Sequence, residues 1–368
     1  MKHIQAPLSV LEAHHWELPV DHLSDFPLFR DSLQTLDMTG VQLSSCKFQY
    51  PLVAALRVSG CEYAELRVFE RCFPGLRDLS FETTMDEVVL GDDQPLDKVE
   101  DIRRFNLETS ARDSWTSLRR VTSSINSLYA LGIKCHAESL HLLHDTVNAA
   151  DLCQKLQTIL LDLRPTCLEV SLEIPDLSFL QLVAAMAPVA RTLTRLKLHI
   201  DMHGHYFRDP SPKLRAQLIE SLSTFPLQFL WLDLSWREVA DHIPVPNEED
   251  EGEGDDASPG PPTPAKPFTT LDRMALAEHA SRALPALKHV CISTELLFQP
   301  VFETKMFFEV QHGEAGTKNT PRTITQLPWD ARAKELRDSP PCHQVSDTDG
   351  YCIHCLYQRR SSRVNFLD

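Results

Sequence analysis

The amino-acid sequence predicts an α/β fold, a solenoid in which parallel strands line the concave side and helices form the convex side. Three observations lead to this prediction. An apolar template, L-x-x-L-x-L, recurs along the chain, each copy lies where apolar and polar residues alternate, and segments of helical periodicity separate the copies. The chain has 368 residues, of which 42% are hydrophobic and 24% charged, so its apolar surface is sufficient for a sizeable core.

The copies of the template share apolar residues at the first, fourth and sixth positions, which we call anchors. They are Leu33, Leu36 and Met38; Val53, Leu56 and Val58; Leu76, Leu79 and Phe81; Ala137, Leu140 and Leu142; Cys167, Val170 and Leu172; Leu193, Leu196 and Leu198; Phe229, Leu232 and Leu234; Leu287, Val290 and Ile292; and a weaker copy at Leu118 and Val121. The first three middle anchors are 20 and 23 residues apart. This spacing falls within the range of about 20–29 residues that is typical of leucine-rich repeats.

Segments of helical periodicity lie between these predicted strands. Residues 176–190, 212–225 and 271–284 place apolar side chains at helical spacing, and a proline often precedes the next strand. A doubly wound sheet also alternates strands with helices, but its central strands are apolar on both faces. The strands predicted here are apolar on one face, which favours the leucine-rich-repeat-like solenoid.

Residues 90–115 leave two interpretations open. Apolar residues in this stretch, such as Ile102 and Leu107, fit the repeat template. Neighbouring charged residues, among them Arg103 and Arg104, suit the exposed surface of a helix. We favour the helix.

The sequence predicts three regions. Residues 1–30 form an N-terminal cap or remnant segment, residues 31–300 form the solenoid, and residues 301–368 form a capping segment with a Cys/His-containing tail. An acidic, proline-rich loop at 245–267 interrupts the solenoid and carries seven carboxylates between Glu248 and Asp256. Because this loop has no apolar anchor, we expect it to be disordered. We favour a solvated insertion over an acidic arm that binds a partner or a loop regulated by phosphorylation.

Composition argues against several classes of protein. The formal net charge is −16, whereas nucleic-acid binding requires clustered lysine and arginine. No run of about 18 apolar residues provides a membrane span. The N-terminus lacks the pattern of a secretory signal, and the scattered cysteines are most simply small buried residues kept reduced. We therefore expect a protein of the cytoplasm or nucleus.

The phrase F/L-P-x-L-x-x-L-x-L follows two of the predicted helices, at residues 73–81 and 284–292. In this phrase the chain resembles fungal F-box/leucine-rich-repeat proteins. The resemblance covers the repeat region, most of residues 30–300, and does not extend to an F-box. It implies a role like that of a substrate receptor, in which the repeats hold a target protein and a ubiquitin-ligase adaptor is a further partner.

The solenoid prediction assigns function to the strand-lined concave face, because solenoids present extended binding surfaces there. Alternation predicts that this face carries Asp37, Arg57, Ser80, Ser171, Lys197, Trp231, Asp233, His289 and Cys291. Trp231 is either an aromatic anchor for a partner or a contact with the next repeat. The sequence contains no nucleophile elbow, phosphate loop or zinc-protease motif. We therefore predict a non-enzymatic scaffold that binds protein partners.

The C-terminal tail suggests an alternative function. Cys352 and Cys355 have the C-x-x-C spacing with which two thiolates reach one zinc ion, and Cys342 with either His343 or His354 completes four ligands. This alternative predicts a structural zinc ion, in a zinc-binding module or an enzyme centred on the tail. A second C-x-x-C pair is missing, so unligated thiols are the other interpretation, and the main prediction includes no cofactor.

Overall fold

The structure is a computed structural model. It describes residues 9–14, 29–40, 48–61, 65–83, 97–110, 115–143, 149–173, 179–203, 212–237, 273–296, 304–311 and 322–327. The acidic loop at 245–267 and most of the N-terminal segment 1–30 lie outside the described residues, as does the chain after residue 327. The expectations for those segments stay predictions.

Twelve strands form one sheet, and their order across the sheet is their order along the chain. The strands are β1 (Val10–His14), β2 (Thr35–Thr39), β3 (Ala55–Cys61), β4 (Asp78–Thr83), β5 (Ser117–Ser124), β6 (His136–Leu143), β7 (Cys167–Glu173), β8 (Arg195–His203), β9 (Phe229–Arg237), β10 (His289–Leu296), β11 (Thr304–Gln311) and β12 (Thr323–Leu327). Neighbouring strands from β1 to β10 are parallel, whereas β11 and β12 join in antiparallel pairing. The sheet is not closed into a barrel, since β1 and β12 lie at opposite edges.

Seven α-helices lie between the strands in the described part of the chain. They are α1 (Leu66–Cys72), α2 (Asp97–Thr109), α3 (Ile125–Leu131), α4 (Ala149–Leu163), α5 (Phe179–Ala185), α6 (Pro212–Ser221) and α7 (Arg273–Ala283). Each helix contributes buried apolar residues to the same core as the strand anchors. The helices therefore pack against the anchor face of the sheet, and the predicted α/β class is confirmed.

The predicted alternation is visible in the burial of the strands. In β2 and β4, buried residues alternate with partly buried ones. Leu36, Met38, Leu79 and Phe81 are almost completely buried. Full burial of such a side chain contributes about 1.5–3 kcal/mol, so the row of anchors across the sheet is a main source of stability.

Two capping residues, Ser124 and Gly132, define the ends of α3. Ser124, the last residue of β5, has an extended backbone, and its hydroxyl accepts a hydrogen bond from the Ser127 N–H at 3.2 Å. This is an N-cap, which satisfies one of the free N–H groups of the first turn. At the other end Gly132 adopts the left-handed conformation with φ 68°, and its N–H donates to the Leu128 carbonyl. Glycine tolerates this conformation because it has no Cβ.

Strand register corrects the predicted template in β7 and β9. The template makes Val170 and Leu232 the middle anchors, but Leu168 and Leu230 are the residues that align with the middle anchor Leu196 of β8. The predicted positions are thus displaced by two residues. A two-residue displacement keeps every side chain on its own face of the sheet. The face assignments therefore stand, while the neighbours of each residue across the sheet change.

The helix that we favoured within residues 90–115 is present as α2. Its surface differs from the predicted one, since Arg103 is 7% exposed and Phe105 is 41% exposed. Arg103 donates hydrogen bonds to the Tyr129 carbonyl at 2.7 Å and to the Asp162 carboxylate at 2.5 Å. These hydrogen-bond partners, on α3 and α4, offset the free-energy cost of burying the charged arginine. Both partners are distant from Arg103 in sequence.

Candidate protein-binding face

The face of the sheet opposite the anchors, which we call the strand face, carries three rows of side chains across neighbouring strands. Strand pairing defines each row. The first row, nearest the starts of the parallel strands, includes Asp78, Arg120, Ser139, Cys167, Arg195, Phe229, His289 and Glu309. The second row is Asp37, Arg57, Ser80, Thr122, His141, Glu169, Lys197, Trp231, Cys291 and Phe307. The third row is Ser171, His199, Asp233 and Ser293.

The second row contains a run of interacting side chains on four neighbouring strands. The Lys197 ammonium lies 2.5 Å from Glu169 Oε1, and His141 Nε2 lies 3.6 Å from the same oxygen. On its other side, Lys197 Nζ lies 4.6 Å from the centroid of the Trp231 ring. A cation over the face of tryptophan is attracted by the ring, by about 0.5–1 kcal/mol at an accessible site. These contacts hold the side chains in one arrangement on the sheet.

In the third row, His199 and Asp233 form a second interacting pair. His199 Nδ1 donates a hydrogen bond to Asp233 Oδ2 at 3.0 Å. Burial alone would raise the pKa of Asp233, but the hydrogen bond and the charge of His199, together with the charge of Lys197, outweigh it, so the pKa is below its usual value. Asp233 is therefore a carboxylate at neutral pH.

Aromatic rings support the basic side chains of the first row. The Arg195 guanidinium carbon lies 5.3 Å from the centroid of the Phe229 ring, and the His289 ring stacks on Phe307 at a centroid distance of 5.6 Å. Phe229, Phe307 and Cys291 form a small apolar cluster, separate from the main core, against which Trp231 packs. The strand face thus combines charged groups with an apolar platform at β9–β11.

The structure places all nine sequence-predicted residues on the strand face, but not in one row. Ser171 and Asp233 lie in the third row and His289 in the first, whereas Asp37, Arg57, Ser80, Lys197, Trp231 and Cys291 lie in the second. Asp37 and Arg57 form an ion pair at 3.6 Å. This pair lies on β2 and β3, away from the charged run on β6–β9.

Two of these nine residues lie on the strand face and are nevertheless buried. Cys291 is 0% exposed, because it packs with Phe229 and Phe307 in the apolar cluster. Ser171 is 8% exposed and is aligned with the larger His199 on the next strand. A short side chain beside longer neighbours on the strand face is covered by them.

The nine residues predicted from the sequence do not include His141, Glu169, Arg195 or His199. The displaced template in β7 put Ser171 in the position that Glu169 occupies. Alternation along the strands could have identified them, because all four residues occupy the alternate positions whose side chains belong to the strand face. Their interactions became evident only with the register between β6, β7 and β8.

Burial raises the thiol pKa of several described cysteines. Burial raises the pKa of Cys61 to about 12, and burial together with the charge of Glu70 raises that of Cys135 to about 12. Burial also raises the pKa of Cys167. Thiols with such pKa values are protonated near neutral pH and are poor nucleophiles.

One cysteine departs from the expectation of reduced thiols. Cys72 is disulfide-bonded. Five other described cysteines are free thiols: Cys61, Cys135, Cys153, Cys167 and Cys291. The partner of Cys72 is therefore outside the described residues. The expectation that all scattered cysteines are reduced is wrong at this position.

The predicted zinc ligands Cys342, His343, Cys352, His354 and Cys355 lie outside the described residues, so a zinc site in the tail stays a prediction. Within the described ranges, no three His, Cys, Asp or Glu side chains are grouped so that they could hold a metal ion.

Comparison with known proteins does not assign the chain to a family. Neither the protein-family models nor the curated proteins compared with it match this sequence. Among the described helices, none combines the length and the hydropathy that crossing a membrane requires.

Proposed function

We propose that the chain is a leucine-rich-repeat-like solenoid, with parallel strands on the concave side and helices on the convex side. The identity of strand order and chain order supports this, because each strand–helix unit then contacts mainly the units before and after it. The repeat length also supports it. Side chains in equivalent positions of β7 and β8, Glu169 and Lys197, are 28 residues apart, within the range of such repeats.

The function that this arrangement supports best is that of a non-enzymatic scaffold that holds a protein partner on the strand face. The observation that carries the proposal is the run from His141 through Glu169 and Lys197 to Trp231. These side chains are partly buried, so binding loses little further conformational entropy when a partner covers them. Tryptophan beside ordered charged groups is a frequent energetic centre of protein interfaces.

The resemblance to F-box/leucine-rich-repeat proteins extends this proposal to a substrate-receptor role. In that role the strand face holds a target protein while another part of the assembly contacts a ubiquitin-ligase adaptor. Affinity purification from the native host tests it, because a substrate receptor co-purifies with ligase subunits. Their reproducible absence, with other partners retained, would contradict the ligase role and leave the scaffold role in place.

The scaffold role is tested with a matched pair of aromatic variants. Trp231→Ala removes the ring on the strand face, and Phe105→Ala removes an exposed ring on the helical side. We expect Trp231→Ala to weaken binding of co-purified partners by about 2 kcal/mol, as at an interface centre, and Phe105→Ala to leave binding unchanged. Circular dichroism of both variants verifies folding. Equal retention of partners by the two variants would contradict the proposed face.

A further inference from the structure

We infer that the strand face recognises a short extended segment of its partner in which an Asp or Glu lies two residues from a bulky apolar residue. The carboxylate would bind Arg195, and the apolar side chain would pack beside Trp231. This inference rests on the proposed function. It restricts the possible partners to proteins that contain such an acidic–apolar segment.

The first part of the argument is the environment of Arg195. Its guanidinium lies over the Phe229 ring, and its two neighbours in the first row, Cys167 and Phe229, carry no carboxylate. No described residue forms an ion pair with it. Lys197 and His199, on the same strand, are paired with Glu169 and Asp233. Among the basic side chains of β8 that the structure describes, Arg195 is therefore the one without an ion-pair partner on the strand face.

A guanidinium held against a ring is well suited to bind a carboxylate. The ring attracts the cation, and the guanidinium keeps its planar set of N–H donors for other acceptors. A carboxylate can then accept two parallel hydrogen bonds, a geometry that is stronger and more selective than contact with a lysine. Arg195 can therefore bind an acidic side chain in this way.

The second part is the apolar platform on the adjoining strands. Trp231 is partly buried and packs against the cluster of Phe229, Cys291 and Phe307, whose members are themselves buried. Aromatic rings that pack on buried neighbours form a rigid surface. An apolar side chain that packs on Trp231 therefore costs little additional side-chain conformational entropy in this protein. Leu327 of β12 is also partly buried against this cluster and extends the platform.

The spacing of the two parts sets the spacing in the ligand. Arg195 is aligned with Phe229, and Trp231 follows Phe229 by two residues along β9. With neighbouring strands about 4.8 Å apart and alternate residues about 6.8 Å apart, the two Cα atoms are about 8 Å apart. Residues i and i+2 of an extended segment are about 7 Å apart and point to the same side. An acidic and an apolar residue at this spacing match the two parts.

Local charge favours an acidic segment although the whole chain is negative. The carboxylates of the first row are distant from Arg195: Asp78 lies on β4 and Glu309 on β11, four and three strands from β8. The net charge of the chain is −16. At physiological ionic strength, charges more than about 8 Å away are largely screened, and the nearer Glu169 is paired with Lys197, so Arg195 itself sets the charge that a short segment meets at this point.

Selection of a random heptapeptide library on the full-length chain tests the inference. We expect selected peptides to share Asp or Glu two positions from Leu, Ile, Met, Phe or Trp. Their binding should weaken at least about tenfold in Arg195→Gln and in Trp231→Ala. Arg164→Gln, at an exposed arginine just after α4, is the matched control and should leave binding unchanged.

A charge exchange distinguishes recognition from indirect damage to the fold. Peptides in which Lys replaces the acidic residue should bind Arg195→Glu and not the wild-type chain. Peptides that require Trp231 but contain no acidic residue, or that bind Arg195→Gln normally, would overturn this inference and leave the proposed face intact. Peptides that are insensitive to both Arg195 and Trp231 would overturn the inference and the proposed function together.

Discussion

Asp233 stays ionised on the strand face because the groups around it compensate for its burial. Burial raises its pKa, but the hydrogen bond from His199, the charge of His199 and the charge of Lys197 lower it by more. Both basic groups come from β8, the strand before Asp233. The pair therefore links the protonation of one side chain to the stability of two adjacent strands.

The lowered pKa predicts how stability depends on pH. A group with a depressed pKa in the folded state contributes stability that is fully present above its unfolded pKa, near 3.9, and lost as the pH falls through the folded value. We expect Asp233→Asn to reduce the free energy of unfolding by about 1–3 kcal/mol at pH 7 and to show a smaller difference from wild type at pH 3. Urea denaturation at a series of pH values measures this.

Asp101→Asn provides the control for that titration. Asp101 is a more exposed carboxylate on α2 that pairs with Arg104, so its replacement should change stability by no more than about 0.5 kcal/mol at either pH. If Asp233→Asn were as stable as wild type at every pH, the interaction with His199 would not contribute to folding.

At the scale of the elements, a buried charged network joins α2, α3 and α4. Arg103 bonds to the Tyr129 carbonyl and to Asp162, and its guanidinium lies 4.4 Å from the centroid of the Tyr129 ring. The Tyr129 hydroxyl donates to Glu100 at 2.8 Å, and Lys155 donates to Asn126 at 2.8 Å. These bonds connect neighbouring helices through polar groups in addition to their apolar contacts.

Two neighbouring arginines on α2 test the importance of this network. The Arg103 side chain is 9% exposed and that of Arg104 is 68% exposed. Arg103→Met keeps an apolar stem but leaves Asp162 unpaired, so we expect the free energy of unfolding to fall by about 3 kcal/mol. Arg104→Met should change it by less than about 1 kcal/mol. Equal effects of the two substitutions in chemical denaturation would contradict a structural role for the buried pair.

The elements also show which features the sequence can predict. The anchors Leu36, Leu56 and Leu79 were assigned correctly because alternation and spacing are local properties. The two-residue displacement in β7 arose because the alternate positions of the anchor face are all apolar there: Leu168, Val170 and Leu172. The template therefore fits the strand in two registers. Only pairing with β8 decides between them.

The burial of charged groups could not be predicted from the local sequence pattern for a different reason: their partners are distant in the chain. Arg103 was assigned to an exposed surface, yet its partner Asp162 is 59 residues away in the chain. Similarly, Glu169 and Lys197 are 28 residues apart and meet only because β7 and β8 are neighbours. The sequence predicted the face of each strand-face residue, but the register was needed to assign its partners.

For the whole molecule, strand order predicts a gradient of stability. Strands β5–β8 have several neighbours on both sides, whereas β1 and β12 form the edges of the described sheet. In a stack of repeats stability comes mainly from the interfaces between neighbours, so the terminal units open most readily. We expect amide hydrogens of β5–β8 to exchange most slowly and those of β1 and β12 most rapidly.

Hydrogen exchange followed by mass spectrometry measures this gradient. Peptides that contain β3 and β10 should have intermediate rates, since each of these strands is paired on both sides but lies near an edge. Uniform protection from β1 to β12 would contradict a stack of separable units and would indicate a single cooperative globule.

The identity of strand order and chain order has a consequence for synthesis on the ribosome. Each parallel strand from β2 to β10 pairs with the strand made just before it, so no strand in this series must await a distant partner. Structure can therefore accumulate in the direction of translation, with each new unit adding to an already formed platform. Nascent chains stalled after successive repeats should acquire protease resistance stepwise, in the order in which the units leave the exit tunnel.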